Sequence, residues 1–272
     1  MKIALIQQHA TTDLDDNISR AKTAFLKAAK EGAGIIAFSE LAFLPFLPQK
    51  PAGQDSIEMA EPIPGPTTEI FSRLAKEHKA VTVINLFERS GQNTFDSSPV
   101  IDADGSICGI IRMVHVMNGQ GFFEKGYYSP GDKPICVFET MAGRIGIAIC
   151  YDRHFPEYMR HLGLLRPEIV IVPQAGVSGE WPEGIFEAEL QVAAFQNGFF
   201  AALVNRVGKE DPLMFSGESY VVDPSGQIIA QSPEGKDHIL YADCDFNAIQ
   251  ESPAKKYFLS DRRPDFYRKF IK

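Results

Sequence analysis

Residues 144–157 read Arg144-Ile145-Gly146-Ile147-Ala148-Ile149-Cys150-Tyr151-Asp152-Arg153-His154-Phe155-Pro156-Glu157. The apolar, β-branched run over 144–149 predicts a buried strand, and a helical pattern opens at Pro156 and continues to about 165. Cys150 therefore ends a strand and precedes a helix. A sulfur so placed lies near backbone N–H groups whose dipoles favour a thiolate and can meet an oxyanion. The same position suits a buried structural cysteine equally well, because free cysteine is among the most buried residue types. The strand pattern alone leaves both readings open for Cys150, whereas for Cys108, Cys136 and Cys244 the structural reading is preferred.

Working outward, a strand over 169–172, a helix over 183–197, a strand over 199–204 and a hairpin turned at Asp223-Pro224-Ser225-Gly226 follow. The first half shows the same order. A strand over 3–6 and a helix over 17–29 lead through Gly32-Ala33-Gly34 into a strand over 35–38, with Glu40 directly behind it. Gly65-Pro66-Thr67-Thr68 marks a helix entry, and Ile70, Phe71, Leu74 and Ala75 form one apolar face ahead of a strand over 81–86. A hairpin turned at Asp102-Ala103-Asp104-Gly105 joins 99–101 to 107–111. Two β-α-β-α-β halves, each closed by a hairpin, predict an α/β fold: an α-β-β-α sandwich of two mixed β-sheets with helices on the outside. One domain is expected over 1–272. The stretch from about 251, including Ser260-Asp261-Arg262-Arg263-Pro264-Asp265, lacks periodicity and reads as a C-terminal arm reaching another subunit.

The composition narrows the partners. The net charge is −8, and the 27 Lys and Arg are scattered rather than gathered into a stripe, so neither nucleic acid nor anionic membrane is expected as a partner. The apolar run at the N-terminus is too short for a secretion signal, and nothing approaches a membrane span. The four cysteines lie far apart without C-x-x-C spacing, which fits free thiols in a reducing compartment, so a cytoplasmic location is expected. No cofactor and no metal are implied: phosphate-cradling glycine loops and His/Cys/Asp clusters at ligand spacing are lacking, and Asp102-Ala103-Asp104-Gly105 is too short for a calcium loop.

The segment Ala148-Ile149-Cys150-Tyr151-Asp152-Arg153-His154-Phe155-Pro156-Glu157 resembles the nucleophile motif of the nitrilase (carbon-nitrogen hydrolase) superfamily, and Phe38-Ser39-Glu40 resembles its general-base motif. The likeness extends over nearly the whole chain, through Phe123-Glu124-Lys125-Gly126-Tyr127-Tyr128-Ser129-Pro130-Gly131-Asp132, Asn205-Arg206-Val207-Gly208 and Asp261-Arg262-Arg263-Pro264. It implies that Cys150 attacks an amide, nitrile or carbamoyl carbon. Glu40 would take the thiol proton, pass it to the departing amine and then activate water. It further implies a backbone oxyanion donor at Tyr151, an additional active-site glutamate at Glu124, and a homodimer or larger homo-oligomer. The surroundings of Cys150 look closest to N-carbamoylputrescine amidase-like and ω-amidase-like members, so hydrolysis of a small amide or N-carbamoyl amine through a thioester is expected.

One position departs from the pattern. Where the family carries a lysine in Arg-Lys-x-His, this chain reads Arg112-Met113-Val114-His115. A preorganised donor at such a site is worth roughly 3 to 4 kcal/mol, and methionine donates nothing. Three readings follow: another cation enters the site, backbone donors suffice for a particular substrate, or the homologue is catalytically silent or acyl-transferring. Strand alternation sends Arg112 to the opposite face from Met113, whereas His115 shares its parity. Lys125 has no predicted direction. As substrate-binding candidates the sequence offers His115, Phe123, Gln174, Ala175, Trp181 and Glu183, with Phe122 and Tyr151 completing an aromatic cleft and Glu180 as an alternative acid. For His115 a bracing role is the preferred alternative, and loop packing is an equal one for Trp181 and the acids.

Overall fold

The computed structural model describes residues 1–270. Its first sheet runs in the order His238–Asp243, Lys2–Gln7, Ile35–Phe38, Val81–Val83, Asn93–Ile101, Leu86–Ser90, with Ile107–Arg112 also paired to Asn93–Ile101. Lys2–Gln7, Ile35–Phe38 and Val81–Val83 are parallel, and the remaining pairings are antiparallel. The second sheet runs Ile228–Gln231, Tyr220–Val222, Phe200–Asn205, Ile169–Gln174, Gly143–Ile147, Val137–Thr140 and is mixed in the same way.

Period-two alternation sorts the strand residues into layers. Ile3, Leu5, Ile35 and Ala37 of the first sheet share one apolar cluster with Ile145, Ile147, Ile169, Ile171, Phe200 and Ala202 of the second. The intervening residues face outward into separate helix-covered layers. Ala4, Ile6, Ile36 and Phe38 meet Ala21, Phe25, Phe71 and Ala75 from helices Leu14–Lys30 and Pro66–His78. Val170, Val172, Ala201 and Leu203 meet Tyr158, Met159, Leu162 and Leu190 from helices Pro156–Leu165 and Ile185–Asn197. Strands buried on both faces read as continuous apolar runs, as 35–38 and 169–172 do. The layers are helix, sheet, sheet, helix.

Several boundaries differ from the sequence expectation. The strand read over 81–86 breaks after Val83, because Asn85 turns inward and accepts the Leu41 amide at 2.8 Å, and a new strand starts at Leu86. The hairpin strand read from 99 begins at Asn93, so Asp96 and Ser97 lie inside the sheet. The strand leading to Cys150 ends at Ile147, and helix Pro156–Leu165 follows an intervening 3₁₀ turn, Cys150–His154. Beyond residue 251 the chain forms short helical turns, and Phe258 packs against Phe195 of its own chain.

Phe71 joins the outer helix to the strand that carries Glu40. Its ring meets Phe38 and Phe43, each with centroids 5.0 Å away, and Phe25 at 6.3 Å. Phe71→Ala removes this fully buried ring and should cost about 3–5 kcal/mol, read as a lowered midpoint in urea unfolding. A midpoint unchanged within error would contradict the packing described.

Candidate active site

Glu40 follows strand Ile35–Phe38 of the first sheet, and Cys150 follows Gly143–Ile147 of the second. Each lies at the carboxyl end of a parallel strand, where open α/β sheets gather chemistry. The backbone is unusual at both places. Cys150 has φ 42° and Leu41, next to Glu40, has φ 46°, a left-handed conformation that costs non-glycine residues of order 1–3 kcal/mol. The surroundings hold these conformations. Arg206, fully buried behind strand Phe200–Asn205, donates to the carbonyls of Glu40 (2.9 Å), Leu41 (2.5 Å) and Leu44 (2.9 Å) and pairs with Glu210.

The Glu40 carboxyl is 0% exposed and lies beside the Cys150 thiol and the Asp96 carboxyl. Asp96 Oδ1 accepts from Asn85 Nδ2 at 2.5 Å, and Asn85 also reaches Ser98 Oγ. Among the described residues no N–H or hydroxyl donor meets either Glu40 oxygen or Asp96 Oδ2. Glu124 is buried nearby, with Oε2 accepting from the Met117 amide at 2.9 Å. Burial is the main force on all three acids. It raises Glu40 well above the ordinary carboxylate range, with Asp96 and Glu124 adding repulsion. Burial lifts Asp96 to about 7 and Glu124 to about 8. No group of three or more His, Cys, Asp or Glu among the described residues is arranged to hold a metal ion.

Cys150 is 6% exposed. Gln174 Nε2 lies 3.4 Å from its sulfur, and the Ala175 amide also points to it. Arg153 sets the orientation of Gln174. Its Nε donates to Gln174 Oε1 at 3.1 Å, while its guanidinium pairs with Glu189 and lies over the Phe186 ring. Cys150 opens the 3₁₀ turn Cys150–His154 rather than the helix at Pro156, and burial followed by the charges of Glu40 and Glu124 pushes the thiol well above its ordinary range. The resting sulfur is a thiol that needs a base.

Met113 is 1% exposed in the same apolar cluster as Cys150, Leu41 and Phe122, and its amide donates to Asp96 O at 2.9 Å. Arg112 points away, as alternation predicts, to Glu88 and Asp132. Lys125 is exposed. His115 Nδ1 lies 2.7 Å from Asp152, and its ring stacks on Phe155 with centroids 3.5 Å apart. Asp152 also accepts the amides of Val114 and His115, which fastens the Met113 segment to the turn that carries Cys150.

The aromatic cleft is divided. Tyr151 meets His154, and His154 meets Trp181, each pair with centroids 5.4 Å apart, but Trp181 is 39% exposed. Phe122 packs instead on Phe46, and half-buried Phe123 donates its amide to Pro48 O. Glu183 is exposed, whereas Glu180 is partly buried and its charge acts on Glu124. Sequence reasoning missed Asp96, Arg153 and Tyr128. The Tyr128 hydroxyl is buried without a hydrogen-bond partner among the described residues, and the charge of Asp96 acts on it first, followed by Glu40, Glu124 and Cys150.

Arg206→Met would leave Glu210 unpaired and three carbonyls without their donor. Removing one partner of a buried pair costs about 3–5 kcal/mol, so the variant should unfold at markedly lower urea. Unfolding at the wild-type midpoint would show that Arg206 is not the clamp.

The carbon-nitrogen hydrolase family model matches residues 2–254. The chain is 31% identical to the N-carbamoylputrescine amidase of Solanum lycopersicum over 98% of its own length and 93% of that protein. It is also 31% identical to the citrullinase of Francisella tularensis, over 100% and 98%. Among solved structures, a carbon-nitrogen hydrolase of Helicobacter pylori G27 superposes with a TM-score of 0.93 at 28% identity, covering 100% of this chain and 98% of that one. The nitrilase-superfamily amidase of Nesterenkonia AN1, as a cysteine-to-serine variant, does so with 0.83 at 26% identity and the same coverage. With the matched region spanning both sheets, Glu40 and Cys150, the chain belongs to the carbon-nitrogen hydrolase family, the nitrilase superfamily of cysteine-dependent enzymes.

Proposed function

We propose that the protein hydrolyses a non-peptide C–N bond in a small amide-type molecule, an N-carbamoyl amine or its chemical kin, through a covalent Cys150 intermediate. The placement of the buried Glu40 carboxyl beside the buried Cys150 thiol carries this reading. Glu40 takes the thiol proton as sulfur bonds to the substrate carbon, hands it to the leaving nitrogen, and then deprotonates the hydrolytic water. Gln174 Nε2 and the Ala175 amide are neutral donors beside the sulfur, and the Tyr151 backbone N–H would be a further oxyanion donor.

The family names of the tomato and Francisella relatives, N-carbamoylputrescine amidase and citrullinase, support a ureido or amide substrate. The four free cysteines support a reducing, cytoplasmic location, and no helix among the described residues is long and apolar enough to cross a membrane. Exposed Ile185, Val192 and Phe195 on one helix support a face for a second copy of the chain.

Intact-mass spectrometry after exposure to small amides, carbamoyl amines and nitriles tests the reaction. An acyl-type adduct on wild type and none on Cys150→Ala is expected, and identical adducts on both would remove Cys150 from the nucleophile's role. The pH profile tests the base. Glu40 acts only when ionised, and burial and Asp96 raise its pKa, so kcat/KM should fall as pH drops, with the acid limb lying above the ordinary carboxylate range. Asp96→Asn removes a neighbouring charge, which lowers the Glu40 pKa and moves this acid limb to lower pH. A limb left in place would show that the two carboxyls are not linked.

A further inference from the structure

We propose that the electrophile this site accepts is a cationic carbon, an amidinium or guanidinium group, in preference to a neutral amide carbonyl. The inference rests on the thiol-hydrolase reading above and names the substrate class of that site.

Charge balance around Cys150 is the starting point. Glu40 and Glu124 are buried beside it, Asp96 is buried beside Glu40, and the nearby cations are engaged elsewhere. Arg206 serves main-chain carbonyls and Glu210, Arg153 pairs with Glu189 and holds Gln174 while its Nη2 has no hydrogen-bond partner among the described residues, Arg112 pairs with Glu88 and Asp132, and Lys125 faces solvent. Met113, at the position where a related enzyme would carry an ammonium, adds an apolar thioether. The thiol thus lies among acids and meets no positive counterpart among the described residues.

Such a pocket disfavours attack on an amide. As sulfur bonds to a neutral carbonyl carbon, the C=O electron pair moves to oxygen and creates an anion among carboxyls, with no cation to receive it. Attack on an amidinium reverses the sign: the C=N⁺ electron pair moves to nitrogen and cancels the charge already present. The adduct is neutral and needs no ammonium. A lysine at position 113 would repel this substrate, whereas Met113 does not. Planar amidinium and guanidinium groups also present paired N–H donors that match carboxylate oxygens. Both Glu40 oxygens and Asp96 Oδ2 lack an N–H or hydroxyl donor among the described residues.

The position of the acids distinguishes a cationic reacting centre from a cation on the substrate's tail. Glu40 lies beside both the thiol and Asp96, so the acids that can ionise to meet a cation are gathered at the reacting carbon. A remote ammonium held by Glu180 would make no use of Asp96.

The steps balance as follows. Glu40 carboxylate removes the Cys150 proton, the S–C bond forms, and the C=N π pair becomes a nitrogen lone pair. Glu40 returns the proton to the leaving nitrogen, C–N breaks, and C=N⁺ re-forms as an S-linked thioimidate or isothiouronium cation. Water adds with Glu40 taking its proton. The C–S bond then breaks, sulfur recovers that proton, and the hydroxyl proton departs with the released amine as its ammonium. An amidine gives an amide, and a guanidine gives a urea.

The alkylating pair 2-chloroacetamidine and 2-chloroacetamide tests this without knowledge of the natural substrate. Rates of Cys150 labelling are read by intact mass and divided by the rates with N-acetylcysteine, with Cys150→Ala as the blank. Wild type should favour the amidine by at least about tenfold after this correction, and Met113→Lys and Asp96→Asn should each lower that preference, as expected for charge-dependent recognition. Equal or greater labelling by chloroacetamide in wild type would overturn the amidinium proposal while leaving the thiol hydrolase intact. No labelling of Cys150 by either reagent would overturn both. Should Met113→Lys fail to fold, the wild-type ratio and Asp96→Asn still decide.

Discussion

Arg206 is the interaction on which the site depends. Its guanidinium comes from the end of a strand in the second sheet and holds three carbonyls, at positions 40, 41 and 44, of the loop that leaves the first. The loop includes Leu41 in a left-handed conformation that would otherwise relax. Because the carbonyls of Glu40 and Leu41 are bonded across the sandwich, the Glu40 side chain is set against a cysteine that arrives from the opposite sheet. Glu210 neutralises the cation and also accepts the Phe46 amide, which closes the far side of the same loop. A hydrophobic core cannot supply this alignment. Apolar packing brings the sheets together without direction, whereas a buried guanidinium fixes where the carbonyls must be.

Holding acids in this place has an electrostatic consequence. Two like charges about 4 Å apart repel by about 4 kcal/mol at an effective dielectric of about 20. Glu40 and Asp96 therefore cannot both ionise easily near neutral pH, and they titrate as a linked pair that retains a proton. Glu124, lifted to about 8, retains another. The cluster is close to neutral at rest and becomes an anion only when something positive enters or when pH rises. Met113 does not relieve this tension, because a thioether adds dispersion contacts but no charge.

The sequence made the architecture legible because the two layers of alternation are strong. Residues 35–38 and 169–172 are apolar on both faces, and the capped amphipathic helices between strands leave little choice of packing. It also pointed to Glu40 and Cys150, each behind such a strand. Asp96 was hidden because Thr94-Phe95-Asp96-Ser97-Ser98 carries polar residues that argue against a strand interior. The pairing of 93–101 with two neighbours overrides that preference. Arg153 and Gln174 stand in segments that the sequence singled out, yet their mutual bond joins a turn to the end of a strand and leaves no periodic trace. Trp181 was an attractive pocket wall as the chain's single tryptophan. A loop residue's direction is not set by alternation, and this one packs at the rim on His154.

Burial, strain and charge at the site act in one direction on stability and in another on chemistry. The left-handed backbone at Cys150 and the carboxyls without cationic partners both lower stability, and the inter-sheet core offsets them. The same burial raises the Cys150 thiol well above its ordinary range, so the sulfur stays protonated until Glu40 takes its proton. Nucleophilic power is then released only together with proton transfer, which confines reactivity to a substrate already seated against the base. An exposed thiolate would react with any electrophile that reached it. Here the energetic cost of an ionised sulfur among acids serves as selectivity, and a positive charge on the incoming carbon is the feature that most directly lowers that cost.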